Sequence, residues 1–521
     1  MSIKLRYGLI GLILLAFSLR LHSFFTGSFQ ADEALFASWA RLIAVFRDPL
    51  LQSQLVDKPP LLFYLQALFY PLLGPVDQAA RLPNLISSIL FIPLSYLLTW
   101  RLYHDEIAGL IVTLLVTLSP LVIRYSATAY IDPLMITLAT ISLVITAGYF
   151  PNKTSKLDGI DSSSNIKQGP DGAKSGRPDF APYGVGLVFG LALAAKYQVL
   201  LYLPLLVGLA LINGWKWRHW RRGISSFAVV LAILIWWDFL QDGKLSLISN
   251  QWRSIGGLRI IWSQELTPRL ASWTLDWTSI FGIPALLVVL FLGSPILLYG
   301  FFREKNRTTA IDTLLLLFSV GYFFLHWLVA IPLWSRYILL AAPIVIILFA
   351  RLLLQLWLNT SRVIQRSRLK KTAQYQLSWL WLIVFLLIGL SPALRAREGE
   401  VPLSDLHQSD NSIEEIAAYL SDSASAAVLY DHWFSWYWRY FLFDSEIYVS
   451  WFPDYESLSR DLLVFGRDGT ERYIALPNDE QAKPIIRAVI AAGFYLDEVV
   501  YQSVRENSAI TLYKIGAGKV D

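Results

Sequence analysis

The 521-residue sequence contains no cysteine, two methionines and six histidines. Disulfides, a thiolate nucleophile and Cys-type metal centres are therefore excluded. His326 stands inside an apolar run, and the other histidines are scattered through loops, the end of the first apolar segment and the C-terminal part. No HxxxH pair or Asp/His cluster has metal-ligand spacing. There is no Walker-type glycine loop and no GxGxxG opening a helix after a strand, so nothing supports nucleotide binding in the apolar part. Charge is sparse as well, at 16% of residues, and no internal repeat is visible.

What is abundant is apolar surface. Hydrophobic residues make up 55% of the chain, including 20 Trp, more than a soluble core of this size requires. Spanning helices need about 20 mainly apolar residues. Candidates lie at 6–25, 83–103, 107–124, 129–149, 182–196, 198–213, 223–240, 277–302, 309–331, 337–358 and 375–394. This predicts a mainly α, polytopic membrane helix bundle of about eleven spans. The run 61–73 is too short to cross and is expected at the interface. The first segment follows Lys4 and Arg6 but lacks a small-residue cleavage site, so it is expected to remain as the first helix.

Charge divides the chain. Residues 1–394 carry 33 Lys/Arg and 18 Asp/Glu, and residues 395–521 carry 11 and 21, which gives +15 and −10 and sums to the overall +5. Basic membrane-side loops account for the positive balance, rather than a nucleic-acid surface. With the N-terminus inside, 21 of the 33 bases fall on the cytoplasmic side, including Lys216–Arg222, where Trp215, Trp217 and Trp220 interleave with bases. The segment 151–179, rich in Gly, Ser, Asn and Lys, reads as a flexible cytoplasmic loop. After 394 the pattern becomes that of a small soluble α/β domain outside the membrane, with strands at 426–430, 472–476 and 510–515 and helices at 412–420 and 481–492.

The same topology brings the charges inside or beside apolar runs to one outer face. The loop 29–81 holds the acid pair Asp32 and Glu33, and then Asp57-Lys58-Pro59-Pro60. Asp32 would serve as a general base, or both acids would simply cap the helix that follows and oppose its dipole. That helix carries Leu35, Phe36, Trp39, Leu42, Ile43 and Phe46 on one face and is expected to lie on the membrane. Two prolines fix the backbone after Lys58, so its ammonium either meets a lipid phosphate or snorkels to the headgroups. Asp132, before Pro133, is either an N-cap or a site acid. Lys196 interrupts an apolar run, and Arg336 stands between Trp334 and Tyr337. Both bases suit a phosphate, and both also have structural readings, in an exposed hairpin and an aromatic stack respectively.

Taken in order, these residues resemble the C-type integral-membrane glycosyltransferases, the superfamily of protein O-mannosyltransferases and lipid A aminoarabinose transferases. The matching pieces are Ala31-Asp32-Glu33-Ala34, Lys58-Pro59-Pro60-Leu61, Arg81-Leu82-Pro83 and Asp132-Pro133-Leu134. Gly190 through Lys196 to Leu203-Pro204 and Arg336-Tyr337 with Pro343 complete the set. Phe36 departs from a common Tyr, and Tyr197-Gln198 from a Gly-Pro. The resemblance implies a polyprenyl-phosphate-linked sugar donor and inverting transfer to a lipid, glycan or protein acceptor on the outer side, without nucleic acid. It implies Asp32 as base with Glu33 beside it, Lys58, Lys196 and Arg336 on the donor phosphate, and Asp132 and Tyr337 at the substrate. Some relatives use a divalent metal held by an acid before the Lys-Pro motif and a histidine in a later outer loop. Asp57 matches the first, but residues 241–276 contain no histidine. Compact loops and the lack of retention signals point to a bacterial inner membrane. The readings that compete are a transporter or lipid flippase, which usually shows repeats and broken helices meeting near mid-bilayer, and a binding subunit without catalysis, which would tolerate loss of Asp32.

Overall fold

The computed structural model describes residues 3–149, 180–254, 257–304, 306–365, 371–406, 412–499 and 510–518. The expected cytoplasmic loop 151–179 lies outside these. The chain opens with α1 (Ile3–Thr26), followed by a connection containing α2 (Ala31–Ala44), α3 (Leu61–Ala67) and α4 (Tyr70–Leu73). Then come α5 (Asp77–Tyr103), α6 (Glu106–Leu118), α7 (Pro120–Ser126), α8 (Asp132–Gly148), α9 (Ala181–Ala195) and α10 (Leu203–Ile212). The helices α11 (Trp217–Asp242), α12 (Leu247–Ser254), α13 (Leu266–Thr278), α14 (Pro284–Glu304), α15 (Arg307–Leu328), α16 (Ile338–Gln365) and α17 (Lys371–Arg397) complete the bundle.

Every one of the eleven apolar candidates overlaps a helix. Among the described residues six helices are long and apolar enough to cross a membrane: α1, α5, α11, α14, α15 and α16. A seventh span results if α6 and α7, bent by 60° at their junction, count as one. Ser119 caps the second half, and its hydroxyl donates to Ile280 O at 2.7 Å. The segments 132–148, 181–195 and 197–212 are apolar helices too short for that test. The chain is an integral membrane protein, with a helical bundle and a small C-terminal sheet domain.

That domain is a five-stranded sheet formed by β1 (Val428–Asp431), β2 (Tyr448–Trp451), β3 (Arg472–Pro477), β4 (Phe494–Glu498) and β5 (Ile510–Ala517). Their order is β2-β1-β3-β5-β4; β1 runs parallel to β2 and β3, and β5 runs antiparallel to β3 and β4. Period-two alternation along β3 sends Tyr473 and Ala475 to one core and Ile474 and Leu476 to the other. The helices α18 (Ser412–Ser423) and α19 (Ser435–Phe441) cover the first face, and α20 (Tyr455–Phe465) and α21 (Lys483–Ala491) the second. The strands β2 and β4 were not expected from the sequence. They are half-exposed edges without a continuous apolar run.

The helix α2 is not laid on a membrane surface. Residues on all its faces are buried, with Phe36 and Trp39 against Phe63 at 5.4 and 5.0 Å between ring centroids. Its opposite side meets α19. Arg41 Nη1 donates to Tyr440 O at 2.8 Å, Nη2 to Asp444 at 2.5 Å, and Phe29 packs edge-on against Tyr440 at 4.9 Å. The soluble domain thus sits directly on the helix that carries the acid pair. Arg41 is 7% exposed, so truncation leaves the Tyr440 carbonyl without its charged donor. We expect Arg41→Ala to weaken domain docking by about 1.5–3 kcal/mol. A lower melting temperature and faster proteolysis between the bundle and the sheet domain would show it.

Candidate functional site

Three cations from separate stretches each meet a carboxylate. The Lys58 ammonium donates to the adjacent Asp57, in a loop tied down by Asn250 Nδ2, which donates to Val56 O at 3.0 Å. Lys196 occupies the extended residue where α9 breaks before a 3-10 turn at Tyr197–Tyr202; its Nζ donates to Asp132 Oδ1 at 2.6 Å. Arg336, in the turn Ser335–Tyr337 that starts α16, donates from Nη1 to Asp32 Oδ2 at 2.8 Å. Its Nε faces Asp405 Oδ2 at 3.4 Å. The charges of Lys58 and Arg336 both act on Lys196, so the three bases form one neighbourhood.

Aromatic rings hold them apart. Lys196 Nζ lies 4.7 Å from the centroid of the Tyr337 ring, and the Arg336 guanidinium lies 4.6 Å from that of Tyr130 and 5.9 Å from that of Tyr337. A guanidinium over π faces is stabilised without losing its donor fork. Tyr337 is fixed in turn, its carbonyl accepting from the Tyr322 hydroxyl at 2.6 Å. Several buried polar atoms here make no hydrogen bond within the protein: Asp132 Oδ2, Gln198 Oε1 and the Tyr197 hydroxyl, while Asp405 Oδ2 and Arg336 Nε have only each other at 3.4 Å. Orphaned groups at this density are rare in finished cores and mark a place for polar ligand atoms or water.

The adjacent acids of α2 have different fates. Asp32 is partly open beside Arg336, at 27% side-chain exposure. Glu33 is 1% exposed and fully engaged, taking the Gln30 N–H at 2.9 Å and the Ala129 N–H at 2.6 Å, with Arg81 Nε at 3.7 Å. Burial pushes its carboxyl up, opposed by the Arg81 charge. Glu33 caps its helix and, with Asn84 Nδ2 donating to Thr128 O and Tyr130 O at 2.7 and 2.5 Å, pins the turn ahead of Asp132. Of the acid pair, only Asp32 reaches the cluster.

Three contributors were not singled out from the sequence. Asp405, in the connection after α17, accepts from the Tyr125 hydroxyl and flanks Arg336. It lies among many acids of the C-terminal part and carries no local signature. Its neighbour Ser404 fixes the Arg336 turn through reciprocal bonds with Ser335, each backbone N–H donating to the other's hydroxyl at 2.8 Å. Asp276 completes that knot, accepting from the Ser335 hydroxyl at 2.9 Å. For a metal the fit is poor: Asp57 is taken by Lys58, and no three His, Asp or Glu side chains converge among the described residues.

Two expectations follow. Glu33→Ala removes two charge-assisted hydrogen bonds and should destabilise the protein by about 3 kcal/mol or more, whereas Asp32→Asn should stay within about 1 kcal/mol. Thermal unfolding of both variants measures this split. The Asp276 carboxyl, near 3.8 when free, is pushed up to about 6, first by burial and then by the Asp405 charge, against the Ser335 hydrogen bond. An acid that holds its proton more tightly in the fold stabilises it below the free value and loses that contribution as pH rises through about 6. Wild type should therefore lose melting temperature relative to Asp276→Asn between pH 4 and 7, with no further change above.

Comparisons with known proteins agree with this architecture. Residues 57–155 match the family model described as dolichyl-phosphate-mannose-protein mannosyltransferase. A search of curated proteins found no match. Among solved structures, ArnT from Cupriavidus metallidurans bound to undecaprenyl phosphate aligns over 99% of this chain and 98% of its own, at 13% identity and a TM-score of 0.59. Its apo form aligns over 97% of each chain, at 14% identity and 0.62. The Archaeoglobus fulgidus oligosaccharyltransferase in its apo form covers 93% of this chain with 71% of its own, at 12% identity and 0.54. The chain has the fold of the C-type integral-membrane glycosyltransferases, and the resemblance carried by its motifs extends to its whole architecture.

Proposed function

We propose that this protein is an inverting glycosyltransferase that takes a sugar from a polyprenyl-phosphate-linked donor. It passes the sugar to an acceptor at the outer face of a bacterial inner membrane, with the N-terminus cytoplasmic and residues 395–521 outside. One observation carries the reading: Lys196 and Arg336, from distant stretches, meet on either side of Tyr337, Lys58 lies near enough for its charge to act on Lys196, and each base is already held by a carboxylate, that of Arg336 being Asp32. The family match over residues 57–155, which contains Lys58 and Asp132, and the likeness to a structure holding undecaprenyl phosphate support it.

The pairing gives the chemistry an order. Without donor, Arg336 holds Asp32 in an ion pair. A lipid phosphate is a stronger bidentate partner for a guanidinium, so its arrival draws Arg336 away and frees Asp32. An acceptor hydroxyl then attacks the anomeric carbon from the side opposite the phosphate. The new C–O bond forms as the bond from carbon to phosphate oxygen breaks, the proton passes to Asp32, and the departing phosphate gains charge against Lys58, Lys196 and Arg336. Cations already seated on the bound phosphate stabilise that charge with no further reorganisation at the moment of reaction. Asp132 Oδ2, buried without a partner, is left to accept a sugar hydroxyl.

The test is sugar release from radiolabelled undecaprenyl-phosphate-hexose by the purified protein. Wild type should turn over, and Asp32→Asn should lose at least about 10²-fold. Retained turnover in the variant would remove Asp32 as base. Donor binding by neither protein would remove the whole reading.

A further inference from the structure

Glu33 also lines a polar cavity of about 230 Å³, whose wall includes none of Lys58, Asp132, Lys196 and Arg336. Three guanidinium groups line it: Arg81 from α5, Arg124 from α7 and Arg397 from the end of α17. The Nε atom of each is buried without a hydrogen-bond partner. Arg124 is the sharpest case. It belongs to the bent pair of apolar helices, where a charge is expensive, and it makes neither a hydrogen bond nor an ion pair among the described residues.

The acids in the wall answer two of these charges, Glu33 Oε1 standing 3.7 Å from Arg81 Nε and Glu398 Oε1 3.4 Å from Arg397 Nε, and leave Arg124 without an ion pair. Both Glu33 oxygens also accept backbone N–H groups, and its charge acts on both Arg81 and Arg124. Glu398 pairs with His22 at 3.0 Å and Arg397 at 3.4 Å, and Glu400 with Arg395 at 3.5 Å. Backbone is cleared around the bases. Gly399 has φ +82°, and a Cβ there would stand 3.1 Å from an Arg124 nitrogen; at Gly27 a Cβ would meet Ser23 O at 2.9 Å and Arg81 at 3.5 Å. The cavity has room for a small oxyanion with several waters, each needing about 30 Å³.

Geometry relates this cavity to the reaction. Glu33 and Thr128 form its wall, and their near neighbours Asp32 and Tyr130 face the donor cluster. We infer that the cavity is a second anion site, which takes a phosphate or carboxylate of the acceptor and so places the acceptor's nucleophile toward Asp32. The acceptor is then an anionic molecule. The inference rests on the glycosyltransferase reading for the word acceptor, and on the cavity alone for the anion.

The test titrates inorganic phosphate into the purified full-length protein already saturated with undecaprenyl phosphate. A second class of phosphate binding should remain, and Arg124→Gln should weaken it at least about 10-fold, the loss of one charge-assisted hydrogen bond. Arg397→Gln, at a more exposed position, should weaken it in the same direction, and retained undecaprenyl phosphate binding shows that each variant is folded. A single class fully displaced by undecaprenyl phosphate would overturn the inference, as would a second class indifferent to both substitutions. Failure to bind undecaprenyl phosphate while the Arg124-sensitive class persists would sink the donor reading and leave the anion site. Nanodiscs separate the sources. Phosphate binding displaced by phosphatidylglycerol but not by phosphatidylcholine would assign the cavity to a lipid headgroup and overturn the acceptor role. A hexose phosphate or hexuronic acid that competes in both lipids supports it.

Discussion

A cation near a bilayer needs a partner, and most of this architecture follows from how Arg336 finds its own. Its guanidinium touches α2 through Asp32, the connection after α17 through Asp405, and the turn before Asp132 through the ring of Tyr130. Three segments more than 70 residues apart are fastened at one side chain. Burying a pair rarely adds net stability, but leaving one half unpaired is costly. The cluster is therefore arranged to lose its carboxylates only when another anion takes their place.

The bundle was legible because lipid enforces a simple code: long apolar runs must be helices, and each apolar run in this chain overlaps one. The placement of α2 was not legible. Its face of Leu35, Phe36 and Trp39 reads equally well as a membrane-lying stripe or as core, and only the distant residues of α19 decide for core. The β2 and β4 edges escaped for a related reason, since half-exposed strands carry little periodic signal.

At the site, Asp32, Asp132, Lys196 and Arg336 of the quoted motifs fell together with Lys58 nearby, because local rules of proline, cap and charge fix where each one points, while Glu33 and Arg81 turned to each other instead. Asp405 escaped, since it gains meaning only from Arg336 and Tyr125, both far away in sequence. Arg124 is visible in the sequence as a charge at the end of an apolar run, but no neighbouring motif marks it as part of a site. Adjacent acids that look equivalent in sequence differ by one helical step. That step sends Asp32 to an arginine at a partly open site and Glu33 into a closed net of backbone donors.

The contact between Arg41 and Tyr440 spans 399 residues. A ribosome adding about 5–20 residues per second would need on the order of 20–80 s to produce the second partner after the first. Until then α2 lacks its cover and Arg336 lacks Asp405. The earliest helices can enter the bilayer long before the cluster is assembled. The cluster closes only once the connection after α17 brings Asp405 to Arg336.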